Sequence, residues 1–307
     1  MKRLGYNRPL FVQPFDHRGN FTKTYFGFKG FPKIDPDDDQ FTPVSEAKTV
    51  IYRGLLKAIE MGVPREHVGI LVDAQFASHI IADAKSKGIP AIVCVEKAGL
   101  KVFDFEYGGR WSDHIRFLTP DMVKVLVSYH PEDDQAANNT QLTRLKMLFD
   151  YIHSTEDYYL MFELLVPATT DDEKNAGDRY DTEKRYKRMV ESIKAIQDFG
   201  IEPDIWKIEG FEQREHAEEV SAQVRSAKER EKVGCVILGR GSNKEKVHQW
   251  LEVAAPVPGF IGFSVGRTNF SEPLKQFIED RTEEEQAIEA IAKNFKECVD
   301  TWIDAQG

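Results

Sequence analysis

Two lysines sit where a lysine is costly. Lys207 lies in the middle of DIWKIEG (204–210) and Lys124 in MVKVLVSY (122–129), both apolar runs rich in strand-forming residues. Alternation along DIWKIEG puts Ile205, Lys207 and Glu209 on one face and Trp206 and Ile208 on the other. A lysine on a buried strand must end at a pocket, pair with a carboxylate, or be kept partly neutral. Taken singly, it is more often an ion-paired structural residue. A neutral amine in a dry pocket is also what Schiff-base chemistry on a ketone requires. Two ammonium groups sharing one space disfavour each other's charge, which keeps one of them nucleophilic near neutral pH. Glu163, Glu209 and Asp16 supply carboxylates for proton transfer. That set suits a retro-aldol cleavage. Lysine forms an iminium with the ketone, the iminium accepts the electrons of the breaking carbon–carbon bond, and a carboxylate takes the hydroxyl proton.

A second group of residues suits an anion. LGRGS contributes Gly239, Arg240, Gly241 and Ser242, and VGRT contributes Gly266, Arg267 and Thr268, each close to a helix start. Glycines let backbone N–H groups approach an anion, while the arginine and the helix N-terminus supply positive charge. Either turn alone is only a tight turn with an arginine; the pair together points to phosphate. Arg18 and Lys97, at the ends of other apolar runs, join the expected substrate-binding set, as does Glu209.

These residues need a scaffold that gathers strand ends. The chain supplies eight apolar runs alternating with amphipathic helical stretches. The runs are 9–16, 68–76, 89–99, 123–131, 158–167, 204–210, 233–242 and 259–270. Helices are expected over about 42–61, up to 87, 134–153, 181–199, 212–232, 244–253 and 283–305, with a short one between 99 and 121. Continuous apolar runs fit parallel strands buried on both faces. Eight strand–helix units in 307 residues, without a linker, predict a single-domain α/β protein, a closed (β/α)8 barrel over 1–307, with a charged, Phe-rich insertion at 17–42. An open doubly wound sheet would need a G-x-G-x-x-G turn after the first strand, and PFDHRGNF lacks it. In such a barrel the active site lies at the C-terminal strand ends, and phosphate often binds at the loops after strands seven and eight. Most of the polar residues interrupting the runs fall there: Asp16, His17 and Arg18; Asp73 and Gln75 on strand two; Glu96 and Lys97; Lys124; Glu163; Lys207 and Glu209.

Composition narrows the partners. A formal net charge of −10 and a pI near 5.4 do not indicate a nucleic-acid or anionic-membrane surface. No apolar run reaches the roughly 20 residues of a membrane span, and the N-terminus lacks a signal-peptide core. Cys94, Cys235 and Cys298 are far apart, and the first two lie in strand-like runs, so buried free thiols of a cytoplasmic protein are expected. The eight histidines show no metal-ligand spacing, and no cofactor or metal is expected. His17 and His130 are expected to be hydrogen-bonded loop residues. The acidic runs 35–39 and 282–286 are expected to be solvated. Barrels of this size commonly associate, so a homo-oligomer stays open, with the last helix as a candidate contact.

PFDHRGNF, GILVDAQF, VEKAG, FDFEYG, VKVLVSYHPEDD, FELLVPAT, DIWKIEG, VILGRGS and GFSVGRT resemble the aldolase-type domain fused to 5-dehydro-2-deoxygluconokinase in myo-inositol catabolism. More distantly the chain is similar to class I tagatose-bisphosphate and sulfofructose-phosphate aldolases. The resemblance implies a barrel with Lys207 as Schiff-base lysine, Lys124 as auxiliary lysine, Glu163 and Asp16 as acid–base groups, and Arg267 on phosphate. The substrate it implies is 2-deoxy-5-keto-D-gluconate 6-phosphate, cleaved to dihydroxyacetone phosphate and malonate semialdehyde. A stand-alone version without the kinase part is expected. His17 and FDFEYG depart from the tagatose and sulfosugar pattern and point to a different non-phosphate end of the substrate. A phosphosugar isomerase or epimerase without a covalent step, and a non-catalytic sugar-phosphate binder, remain as alternatives.

Overall fold

The computed structural model describes residues 4–30, 35, 37–155 and 157–307. Eight parallel strands close into a barrel in sequence order: β1 (Leu10–Pro14), β2 (Val68–Val72), β3 (Ala91–Cys94), β4 (Met122–Ser128), β5 (Tyr159–Leu165), β6 (Ile205–Glu209), β7 (Gly234–Leu238) and β8 (Phe260–Ser264). Closure comes from β8 pairing with β1, with Leu10 opposite Gly262. Helices follow the strands: α1 (Gly19–Phe26) and α2 (Phe41–Glu60), α3 (Ala74–Ser86), α4 (Trp111–Leu118), α5 (Gln135–Thr155), α6 (Thr170–Ala176) and α7 (Arg185–Asp198), α8 (Arg214–Val224), α9 (Lys244–Ala254), α10 (Arg267–Ile278) and α11 (Glu284–Gln306). This is the expected (β/α)8 architecture.

Strand alternation divides the apolar residues into two cores. Leu10, Val12, Leu71, Ile92, Met122, Met161, Ile205, Val236 and Ile261 fill the barrel interior with Tyr6 beneath them. Phe11, Phe162, Trp206, Ile208 and Phe263 point outward and pack under the helices. The interior set ends one layer below the C-terminal rim, so polar side chains on the same faces emerge into the barrel mouth.

Several boundaries differ from those expected. Asp73 and Gln75 lie beyond β2: Asp73 is the N-cap of α3, accepting from the Phe76 N–H at 2.9 Å, and Gln75 is in the first turn. The eighth strand is shorter than the expected run 259–270. It stops at Ser264, and Gly266 caps α10, a helix hidden in the sequence by Asn, Ser and the internal Pro273. The loop after β5 holds α6, with a capping box formed by Thr169 and Asp172. The helix expected at 212–232 ends at Val224. The insertion at 17–42 contains α1, and its residues 31–34 and 36, the last also in the acidic run 35–39, lie outside the described residues. The last helix, α11, packs its apolar face against α2, α9 and α10 of its own chain. Among the described residues no helix is long and apolar enough to cross a membrane.

Candidate active site

Register places the ionisable residues. Glu163 on β5 lies opposite Lys207 on β6, and Lys124 on β4 lies opposite Met161, one interior step below Glu163. All three face inward and rise just above the apolar plug. Lys207 Nζ is 3.0 Å from Glu163 Oε1, and Lys124 Nζ is 2.8 Å from Glu163 Oε2, so one carboxylate bridges two lysines. Lys124 also contacts Asp16 at 3.0 Å and Glu96 at 2.8 Å. Asp16, Glu96, Lys124, Glu163 and Lys207 share one cavity of about 630 Å³, rimmed by Lys97, Lys23 and Phe103.

The charges are unequal in their commitments. Burial opposes the ammonium of Lys124, but Asp16, Glu163 and Glu96 outweigh it and hold its pKa well above the ordinary lysine value. Burial likewise opposes ionisation of Asp16 and Glu163. Lys124 and then Lys207 reverse that, and both carboxyls are depressed below their usual range. Asp16, Cys94 and Glu96 offer metal-ligand atoms within 4.8 Å of one another. The charge those carboxylates require is supplied by the Lys124 ammonium. Cys94 is buried and unbridged, as expected, and burial pushes its thiol well above the usual value, which makes it a poor ligand or nucleophile.

A second cavity, about 370 Å³, adjoins the first. It is lined by Arg267, Gly241, Ser242, Thr268, Asn20 and Tyr25, among others. Gly241 has φ 74°, and a Cβ there would stand 2.8 Å from the Arg267 guanidinium carbon, so the arginine lies directly over glycine backbone. Gly266 places the start of α10 against the Pro14 carbonyl, leaving no room for a side chain, and Gly239 tucks under Val265. Arg267, the α10 N-terminus and Gly241 therefore meet in one concave, positively biased place.

Two expected members do not join it. Arg240 has φ 50°, and its guanidinium is taken by Asp181 at 2.9 Å and Glu209 at 3.0 Å. Glu209 is buried among Arg240, Arg185 and the Val166 N–H, and is absent from the lining of both cavities. Arg18 lines the lysine cavity, but its guanidinium braces the wall, donating to Glu106 at 2.8 Å and to the Glu96 carbonyl at 2.6 Å. Lys97 stands exposed at the rim. FDFEYG forms that wall through an antiparallel bridge between Phe105 and Glu96. His130 is hydrogen-bonded as expected, accepting from the Glu132 N–H at 3.1 Å. His17 is not: its Nδ1 is buried with no partner.

Sequence reasoning left two residues out of the site. Glu96 was visible as a carboxylate ending an apolar run, but nothing in the sequence tied it to Lys124. Lys48 gave no signal except its place on the apolar stripe of a helix. It is fully buried, and its ammonium donates to the carbonyls of Phe15 (2.6 Å) and His17 (2.9 Å) and to Asp73. It pins the turn that carries Asp16, His17 and Arg18.

Fold and site together define a (β/α)8 barrel whose mouth holds two lysines among three carboxylates, beside an arginine-lined cavity. The chain belongs to the family described as uncharacterized protein conserved in bacteria (DUF2090), whose profile matches residues 7–306. No curated protein matches it in sequence. Among solved structures it is similar to fructose-bisphosphate aldolase from Plasmodium falciparum, solved in complex with TRAP and a small-molecule inhibitor. The two are 10% identical, with 96% of this chain and 91% of that one covered and a TM-score of 0.59. It is also similar to Cgl0159 from Corynebacterium glutamicum, at 17% identity, 96% and 88% coverage and a TM-score of 0.55. At these identities the likeness is one of fold.

Proposed function

We propose that the chain is a Schiff-base aldolase acting on a phosphorylated keto-sugar or keto-sugar acid, with Lys207 as nucleophile. The observation that carries this reading is the asymmetry between the lysines. Lys124 touches three carboxylates, so losing its proton would strand all three, whereas among the described residues Lys207 pairs with Glu163 alone. The amine with the fewest ties is therefore Lys207, which stands free to meet a ketone in the cavity it lines.

The steps balance as follows. Lys207 adds to the ketone carbon and water leaves, giving an iminium. The neighbouring carbon–carbon bond breaks, its electron pair passes into the iminium to form an enamine, and the hydroxyl proton goes to a carboxylate, Glu163 or Asp16. The aldehyde departs, the enamine carbon takes the proton back, and water returns to release the second ketone. Arg267, with Gly241 and the start of α10, holds the phosphate. The resemblance to the aldolase domain of myo-inositol catabolism supports 2-deoxy-5-keto-D-gluconate 6-phosphate as substrate, cleaved to dihydroxyacetone phosphate and malonate semialdehyde. Borohydride added with dihydroxyacetone phosphate is expected to leave a reduced adduct on Lys207, located by peptide mass, and Lys207→Met is expected to abolish both adduct and cleavage. An unmodified wild-type protein, or cleavage that chelators stop, would overturn the mechanism.

A further inference from the structure

Among the described residues, His17 and Asn20 are the two that line both cavities, the one holding Lys207 and the one holding Arg267. The His17 backbone is fixed, because the fully buried Lys48 ammonium donates to its carbonyl at 2.9 Å. Its ring lies edge-on to Phe270, with centroids 6.5 Å apart. Nδ1 is buried without a partner, which leaves Nε2 as the nitrogen open to the cavities. A bare acceptor lone pair is tolerated in a buried place more readily than an unpaired N–H. The tautomer carrying hydrogen on Nε2 is therefore favoured, and it turns a donor toward the ligand space. Burial, reinforced by Arg267, Lys207 and Lys48 and opposed by Asp16, brings the imidazole pKa down to about 4, so the ring is neutral at neutral pH.

We propose that His17 contacts the substrate, donating from Nε2 to a phosphoryl or bridging oxygen at the junction of the two cavities, and so distinguishes a phosphorylated ketone from an unphosphorylated one. This rests on the Schiff-base reading, because the ligand must reach Lys207 and Arg267 at once. A neutral donor suits the position. It holds an anion without adding a cation that would compete with Lys124 for Asp16 or repel Lys207.

The test compares wild type, His17→Phe and His17→Gln by borohydride trapping on Lys207 over a range of dihydroxyacetone phosphate and of dihydroxyacetone concentrations. A lost hydrogen bond to a charged acceptor is expected to lower the selectivity for the phosphorylated ketone by about ten- to hundredfold in His17→Phe. His17→Gln, which keeps an N–H, is expected to recover part of it. A folded His17→Phe whose selectivity stays within about twofold of wild type overturns the proposal; if that variant does not fold, His17→Met carries the same comparison. Calorimetric titration with inorganic phosphate reads the contact without Lys207. There His17→Phe is expected to bind about tenfold more weakly, and an unchanged affinity refutes the contact. Failure of the wild type to trap either ketone sinks the Schiff-base reading instead, and the phosphate titration then decides on His17 alone.

Discussion

Replacing Lys124 by methionine removes a cation that three carboxylates share while keeping most of the side-chain volume. Lys124 is 1% exposed, with ion-pair distances of 3.0, 2.8 and 2.8 Å to Asp16, Glu96 and Glu163. At such a separation each attraction is about 6 kcal/mol with an effective dielectric of about 20, much of it offset by the cost of desolvating the ammonium. The net loss on removing one partner of a buried pair is about 3–5 kcal/mol. At about 2 °C per kcal/mol for a chain of this length, Tm should fall by about 6–10 °C at pH 7.5. The pH dependence is more discriminating. In the wild type, Asp16 and Glu163 have depressed folded pKa values. Their contribution is therefore present above the unfolded value of about 4 and is lost as pH falls through the folded values. In Lys124→Met the sign reverses. Burial is no longer outweighed, the carboxyl pKa values rise, and the penalty at neutral pH is relieved as pH falls and a carboxylate takes up a proton. Thermal melts of both proteins from pH 7.5 to 5 are expected to converge toward acid. A deficit under about 1 kcal/mol at pH 7.5, or one that widens toward pH 5, would show that Lys124 does not carry this charge.

Two further substitutions probe the other parts of the site. Gly241→Ala adds a Cβ 2.8 Å from the Arg267 guanidinium carbon at a residue with φ 74°. It should cost about 1–2 kcal/mol of stability and weaken inorganic phosphate binding about tenfold by calorimetry, and unchanged phosphate affinity would remove Gly241 and Arg267 from the anion site. Lys48→Met leaves the Phe15 and His17 carbonyls and the Asp73 carboxylate buried without their ammonium. A urea titration should show a loss of about 3–5 kcal/mol, and a loss below about 1 kcal/mol would mean the turn holds itself.

The barrel was legible because parallel strands buried on both faces leave continuous apolar runs, and eight of them leave little choice. Lys207, Lys124 and Glu163 were legible for a related reason: a charge inside such a run stands out, and period-two alternation aims it. What the sequence did not show depends on contacts across the fold. Arg240 and Arg267 occupy similar glycine turns, yet Asp181 and Glu209 draw one away while glycine backbone seats the other. Glu209 shares a face with Lys207, but Arg185 from α7 covers it. Lys48 stands on a helix stripe where no local rule distinguishes a buried ammonium from a surface one. The α10 helix is not legible because Asn269, Ser271 and Pro273 weaken propensity, and packing of Phe270 and Leu274 overrides it.

The turn after β1 stands between the two cavities. Its three consecutive residues face three ways: Asp16 to Lys124, His17 to the junction, and Arg18 to the wall made by Glu96 and Glu106. A loop on its own would blur those directions, because fixing the backbone of each residue costs about 1–2 kcal/mol. Here the cost is met from outside the loop, by an ammonium on α2 that grips the carbonyls on either side of Asp16 and is itself paired with the residue capping α3. The position of Asp16 relative to Lys124, and of His17 relative to both cavities, is thus set by two helices whose described residues line neither cavity. A loosened α2 would disturb lysine chemistry and phosphate recognition together, while changes at Gly241 would reach the phosphate alone.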